Sequence, residues 1–172
     1  MNYNPSTIAR IADIHSGIRV ETAALDGATY LTGAANTQTE LFTVKGLIQV
    51  LSLYLEVLTV LSNHACTVLF NCTFTTPVIA VNAMSAACAS IAQGAQGQRV
   101  WCLGGAVATA AVLTDGAGLS VGAAVIPQLV GGRDFVGSIG ILTAAASITS
   151  GTFMGVLHYV PMSDGAYAEA LL

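Results

Sequence analysis

The sequence predicts an all-β protein, an antiparallel β-sandwich or jelly roll that follows a short N-terminal arm. Apolar and β-branched residues alternate along several segments, which is the period of a strand. Glycine-containing turn signals separate these segments at short intervals. Charged residues make up only 8 % of the 172 residues, whereas about a quarter is usual. Surface that is normally charged must therefore be covered by lipid, by sister subunits or by a larger assembly.

The arm comprises residues 1–20, and the β domain comprises residues 21–172. A short helix is predicted at residues 6–16, because Gly17 supplies a stop signal and isoleucines recur at helical spacing. These isoleucines are Ile8, Ile11 and Ile14. Their stripe is too small to form its own core, so they are candidate contacts with a partner. Residues 20–40 are predicted to be extended or looped.

Residues 41–61 are predicted to form one long strand or two short ones, with Gly46 as a bulge. Apolar residues occupy both odd and even positions, which is typical of a strand that is covered on both faces. One face would pack on the domain core, and another element or subunit would cover the second face. Candidate subunit-interface residues on this segment are Leu51, Leu53, Leu55, Glu56 and Val57.

The remaining strands are predicted where apolar residues alternate with other residues between two turn signals. They are predicted at residues 66–74, 77–81, 99–113, 119–129, 135–144, 152–160 and 166–170. Asp115-Gly116 is a hairpin signal, and residues 131–134 are predicted to turn the chain between two strands. His158 and Tyr159, next to each other in the strand at 152–160, complete the set of interface candidates.

Composition argues against several classes of protein. The five basic residues are scattered, so no cationic stripe is expected to bind nucleic acid directly. The N-terminus lacks the features of a secretion signal, so the chain is expected to fold in the cytoplasm with four free, buried cysteines. Polar residues and turns interrupt every apolar segment, which disfavours a membrane partner. A small integral membrane protein is kept as an alternative.

We find no catalytic, cofactor-binding or metal-binding motif, and we expect no enzyme activity and no cofactor. The sequence has no nucleophile elbow, Walker loop, dinucleotide fingerprint or zinc-protease helix. Asp115, Asp134 and Asp164 lie close to glycines, as turn residues do. A calcium site that these loops share stays open as an alternative.

Two stretches of the chain resemble small virion structural proteins of tailed bacteriophages. Residues 40–46, Glu-Leu-Phe-Thr-Val-Lys-Gly, and residues 56–59, Glu-Val-Leu-Thr, are similar to their "LFTVxG…EVxT" opening. Residues 157–166, Leu-His-Tyr-Val-Pro-Met-Ser-Asp-Gly-Ala, resemble their "LxYxPLSDGA" closing strand and turn. Met162 replaces the commoner leucine, a substitution of similar volume.

Within that group the chain most resembles head decoration, or cement, proteins. The resemblance implies a non-enzymatic homotrimer that stabilises the capsid surface of the virion, after synthesis in the host cytoplasm. The partners would be other copies of the chain and the major capsid protein, with Ile8, Ile11 and Ile14 as the capsid contacts. A tail-fibre, head-fibre or receptor-binding virion subunit is the neighbouring alternative.

Overall fold

The computed structural model describes residues 17–33, 38–88, 90–102, 112–113 and 128–172. The predicted all-β class is confirmed, because these residues form ten strands and one single-turn helix. The elements are β1 (Ile18–Glu21), β2 (Leu25–Asp26), α1 (Gly27–Tyr30), β3 (Gln38–Thr59), β4 (Cys66–Thr76), β5 (Val78–Ala83), β6 (Arg99–Trp101), β7 (Val112–Leu113), β8 (Gln128–Ala145), β9 (Thr152–Pro161) and β10 (Tyr167–Ala170). No helix among them has the length and apolar character that crossing a membrane requires.

The described strands belong to one antiparallel sheet with the order β1-β9-β3-β8-β4-β5. Outside this path, β10 and β6 pair with β3, β2 pairs with β9, and β7 pairs with β6. The more specific sandwich or jelly-roll architecture stays a prediction.

Strand β3 is a single strand of 22 residues at the centre of the sheet. Its first half pairs with β8 and β10, and its second half pairs with β9 and β6. The ladder to β8 is irregular between Lys45 and Leu47, and Gly46 between them has a φ of +76°. The irregularity predicted at Gly46 is confirmed, at a position where the backbone favours glycine.

The turn predicted at residues 131–134 is not a chain reversal. Strand β8 continues through it, because Gly131 pairs with Leu47 and Val136 pairs with Lys45. Residues 132–135 therefore bulge from β8 opposite Gly46 alone. The Phe135 ring meets the Phe74 ring edge-on, with centroids 5.2 Å apart. The strand boundary predicted here was wrong because both flanks pair with the same partner strand.

Three further predictions need correction. The end of the proposed arm, residues 18–20, belongs to β1 and pairs with β9. Helix α1 lies in the segment predicted to be extended or looped, and the Asp26 side chain caps it by accepting from the Ala28 backbone N–H at 3.2 Å. The single strand predicted at 99–113 is wrong, because β6 and β7 are two strands that pair antiparallel with each other.

The predicted arm helix at 6–16, with Ile8, Ile11 and Ile14, lies outside the described residues, as do the Asp115-Gly116 hairpin and most of the strand predicted at 119–129.

One face of the sheet carries the hydrophobic core. Along β4 the even positions are buried, and along β9 the odd positions are buried. On β3 the core residues are Leu41, then the even-numbered ones from Phe42 to Val50, and then the odd-numbered ones from Leu53 to Val57. The change after Val50 arises because Leu51 is an extra residue in the ladder to β9. The largest fully buried side chains are Phe42, Phe70 and Phe153. The opposite face, here called the outer face, carries the candidate functional residues.

Candidate functional site

Strand register places an aromatic and charged cluster on the outer face beside the second half of β3. Tyr54 pairs with Trp101, and Glu56 pairs with Arg99. On the other side of β3, Glu56 pairs with Met154, while Ser52 pairs with His158. We call the following residues the aromatic patch: Tyr54, Glu56, Arg99, Trp101, Met154 and His158.

The patch is held together by ring contacts and an ion pair. The Tyr54 and Trp101 ring centroids lie 4.3 Å apart at an interplanar angle of 38°. The Arg99 guanidinium lies 5.1 Å from the centroid of the Tyr54 ring, where a cation is attracted by the π-system. The Arg99 Nε donates to Glu56 Oε2 at 2.9 Å. Glu56 thus neutralises Arg99 of β6.

A second ion pair borders the patch on β1, where Arg19 contacts Glu21. Arg19 also pairs in register with His158. Burial lowers the pKa of His158 and nearby Arg19 lowers it further, while Glu21 raises it. Two ring nitrogens of the patch, Trp101 Nε1 and His158 Nε2, are buried without a hydrogen-bond partner. Buried polar atoms are normally satisfied, so these two atoms point to a missing partner.

A polar groove lies on the outer face beside the first half of β3. It has a volume of about 190 Å³, and we call it the Glu40 groove. Its lining residues are Glu40, Thr43, Thr73, Thr75, Val136, Gly137, Ser138 and Leu171. Register explains their convergence, since Thr43 of β3 pairs with Ser138 of β8, which in turn pairs with Thr73 of β4.

Hydrogen bonds within the groove all run from hydroxyl groups to acceptors. Ser138 Oγ donates to Glu40 Oε1 at 2.9 Å, and Thr73 Oγ1 donates to Gln38 Oε1 at 2.7 Å. Thr75 Oγ1 donates to the Val136 carbonyl oxygen at 3.1 Å. The Nε2 atom of Gln38 is buried without a partner. The groove therefore combines acceptor atoms with one unpartnered donor group.

The structure removes four of the interface candidates. Leu53, Leu55, Val57 and Tyr159 are at most 5 % exposed and belong to the chain's own core. Their side chains are inaccessible to a second subunit, because the three on β3 follow the bulge at Leu51 and Tyr159 of β9 enters the same core.

The other three candidates from β3 and β9 are more exposed than these four. Leu51, Glu56 and His158 are half-buried, and the last two belong to the aromatic patch. The sequence missed Trp101, Tyr54 and Arg99 as members of that patch. No local pattern marks them, because β6 and β3 are brought together only by long-range pairing.

The four cysteines are free and buried, as predicted. Burial raises the pKa of Cys66 to about 11 and of Cys102 to about 12, with smaller contributions from Cys88 and Cys72 respectively. Neutral buried thiols of this kind are poor nucleophiles. In the part of the chain that the structure describes, no three His, Cys, Asp or Glu side chains cluster as a metal site.

Comparisons with known proteins add no relative: no protein-family model, no curated protein and no solved structure matches this chain.

Proposed function

We propose that the protein is a non-enzymatic capsid decoration protein, a homotrimer that binds the outer surface of a bacteriophage head and stabilises the shell. The resemblance of residues 40–59 and 157–166 to small virion proteins supports this proposal. The observation that carries it furthest is the aromatic patch, whose chemistry is that of a protein–protein contact.

The composition of the patch favours contact with another protein. Interfaces are enriched in Trp, Tyr, Met and Arg, and their centres are depleted of unpaired charge. Trp101, Met154 and Arg99 keep part of their surface accessible beside the buried Tyr54 ring, and the guanidinium is already paired with Glu56. A partner that covers a paired charge leaves no isolated ion behind, which avoids a large desolvation cost.

The low charge content supports assembly as well. A subunit that buries part of its surface against sister copies and another part against a shell keeps little solvent-exposed surface. Few charged residues are needed to cover that surface. Large apolar side chains are exposed in the isolated chain, among them Leu129 at 63 %, Val60 at 60 % and Met162 at 50 %.

Mass measurement and particle stability test the proposal. Light scattering after size exclusion should give three times the 17.5 kDa subunit mass. Particles that lack the protein should release their genome at a lower temperature than complete ones, since a ligand of the assembled shell shifts the equilibrium toward it. Stripped particles that are equally stable but cannot adsorb to cells would replace decoration with the fibre or receptor-binding function.

A further inference from the structure

We propose that the free edge of strand β5 pairs antiparallel with β5 of a second copy of the chain, about a two-fold axis. This contact goes beyond the proposed trimer, because it would join copies that belong to two different trimers. Three features of the molecule point to it: the position of β5 at the end of the sheet, the uncharged sequence of the strands there, and the contrast with the protected edge at β1.

Strand β5 (Val78–Ala83) is the last strand of the path β1-β9-β3-β8-β4-β5. One of its edges pairs with β4, from Val78 opposite Thr75 to Ala83 opposite Asn71. Among the strands that the structure describes, none pairs with the other edge of β5. The backbone N–H and C=O groups of a strand point alternately toward its two edges, so part of those of β5 are left for a partner strand.

Neither β5 nor the strand beside it carries a charged residue. Strand β5 reads Val-Ile-Ala-Val-Asn-Ala, and β4 (Cys66–Thr76) also lacks Asp, Glu, Lys and Arg. Val78, the first residue of β5, is 89 % exposed. A six-residue strand without charge, proline or glycine has none of the sequence features that normally keep the edge of a sheet from pairing.

The opposite edge of the sheet, at β1, does have protective features. Arg19 and Glu21 of β1 are exposed and form an ion pair with each other. Just beyond β1, the Ala23 backbone N–H donates to the Leu172 carbonyl oxygen at 3.0 Å. Charged side chains and a covering segment are both means by which native proteins prevent edge pairing. The two edges therefore differ in protection, and the unprotected edge is the one at β5.

A second copy of β5 is the occupant that fits this edge. The whole chain has a formal charge of −4, so two copies repel each other where their acidic residues approach. Residues 57–98, which include β4 and β5, contain no Asp, Glu, Lys or Arg. Two β5 strands related by a two-fold axis run antiparallel and present identical edges, so their pairing brings no like charges together. A charged segment of another protein would find no counter-charge there.

The test measures amide hydrogen exchange of the isotope-labelled full chain by NMR at several protein concentrations. We expect alternate amides of β5 to exchange more slowly as the concentration rises, because a second copy gives their outward N–H groups an acceptor. Equal exchange rates in β5 at every concentration would overturn the proposal. Concentration-dependent protection of the edge amides of β1 together with those of β5 would also overturn it, because that pattern indicates pairing between unlike edges.

Val78→Lys adds the kind of charge that protects native edges. The side chain is 89 % exposed, so the substitution should leave the fold intact. The protein concentration that gives half of the β5 protection should rise about fivefold, because each paired strand then carries a lysine that faces a copy of the same charge. Val60→Lys makes the same substitution at a 60 % exposed position after β3, and it should change that concentration less than twofold. Equal effects of the two variants would contradict pairing through β5.

The exchange rates of β5 separate this inference from the proposed trimer. Trp101→Ala acts on the aromatic patch and should leave the protection of β5 dependent on concentration. If the protein forms no trimer, β5 protection should still follow a monomer–dimer equilibrium. Protection of β5 that arises only when the protein is bound to particles would assign the edge to a strand of the capsid protein, and it would overturn the inference of a second copy.

Discussion

The aromatic patch and the Glu40 groove lie on the same face of the same strand, yet they differ in how their charges are satisfied. In the patch, Glu56 is paired with Arg99 within the chain. In the groove, Glu40 accepts only from a hydroxyl group of Ser138. The difference comes from the neighbouring strand, which is β6 in one case and β8 in the other. A self-neutralised surface suits a dehydrated contact with large side chains, whereas the exposed Glu40 carboxylate, which has no described counter-ion, suits a hydrated surface.

The largest expected effect concerns the bulge at Leu51, which determines the face on which each side chain of β3 lies. Leu53→Ala should lower the free energy of unfolding by about 2–5 kcal/mol, because Leu53 is fully buried and the substitution leaves a cavity. Leu51→Ala, at the half-buried extra position, should cost less than half as much. Urea unfolding of the two variants measures both values. Equal losses would mean that Leu51 and Leu53 share the core.

The next largest effect tests which of the two regions forms the contact between copies of the chain. Trp101→Ala should weaken it by about 2 kcal/mol, or roughly thirtyfold in Kd, as expected for a central aromatic residue of an interface. Tyr167→Ala removes an aromatic side chain that is 40 % exposed near the groove, and it should leave self-association within twofold. Sedimentation equilibrium measures both constants. A stronger loss for Tyr167→Ala would move the contact between copies to the groove side of the sheet.

A smaller effect distinguishes the two carboxylates in the folded chain. Glu56→Gln should lower stability by about 1 kcal/mol, since it removes the partly buried ion pair between Glu56 and Arg99. Glu40→Gln should change stability by less than about 0.5 kcal/mol, because the side chain is exposed and its hydroxyl donor can bond an amide oxygen. Thermal unfolding at low and high salt measures these differences. Equal losses from the two variants would contradict the assignment of Glu56 as the internally paired carboxylate.

The smallest effect is a pH dependence beside the patch. The pKa of His158 is lowered below 6.5 in the folded chain, so the unfolded chain binds a proton first as the pH falls. Stability should therefore decline from about pH 6.5 down to the lowered folded pKa of His158. His158→Gln should flatten this decline in the melting temperature, while His64→Gln, at an exposed turn, should preserve it. An unchanged slope in His158→Gln would assign the pH dependence to other groups.

Much of the β architecture was readable from local patterns. The alternation in residues 41–61, 66–74 and 152–160 predicted strands that the structure contains, and Gly46 marked the irregularity in β3. The buried state of the cysteines also followed from their residue type and context. The candidate site was predicted only in part, through Glu56 and His158.

The apolar residues on both faces of β3 show why the site could not be derived in full. The alternating pattern predicted a strand covered on two sides. In the structure, even positions from Phe42 to Val50 and odd positions from Leu53 to Val57 point into the same core, because Leu51 is an extra residue between them. A bulge leaves no certain mark in sequence, because it arises from the register with β9.

The sequence by itself determined the strand class, the scarcity of charge and the free thiols, because these depend on residue type and short-range period. The tertiary structure alone decided that β8 continues past residues 131–134 and that β6 brings Arg99 to Glu56. It also decided that β8 and β4 bring Ser138 and Thr73 beside β3. These outcomes depend on hydrogen-bonded register between segments that lie dozens of residues apart, and no local preference encodes which strands will meet.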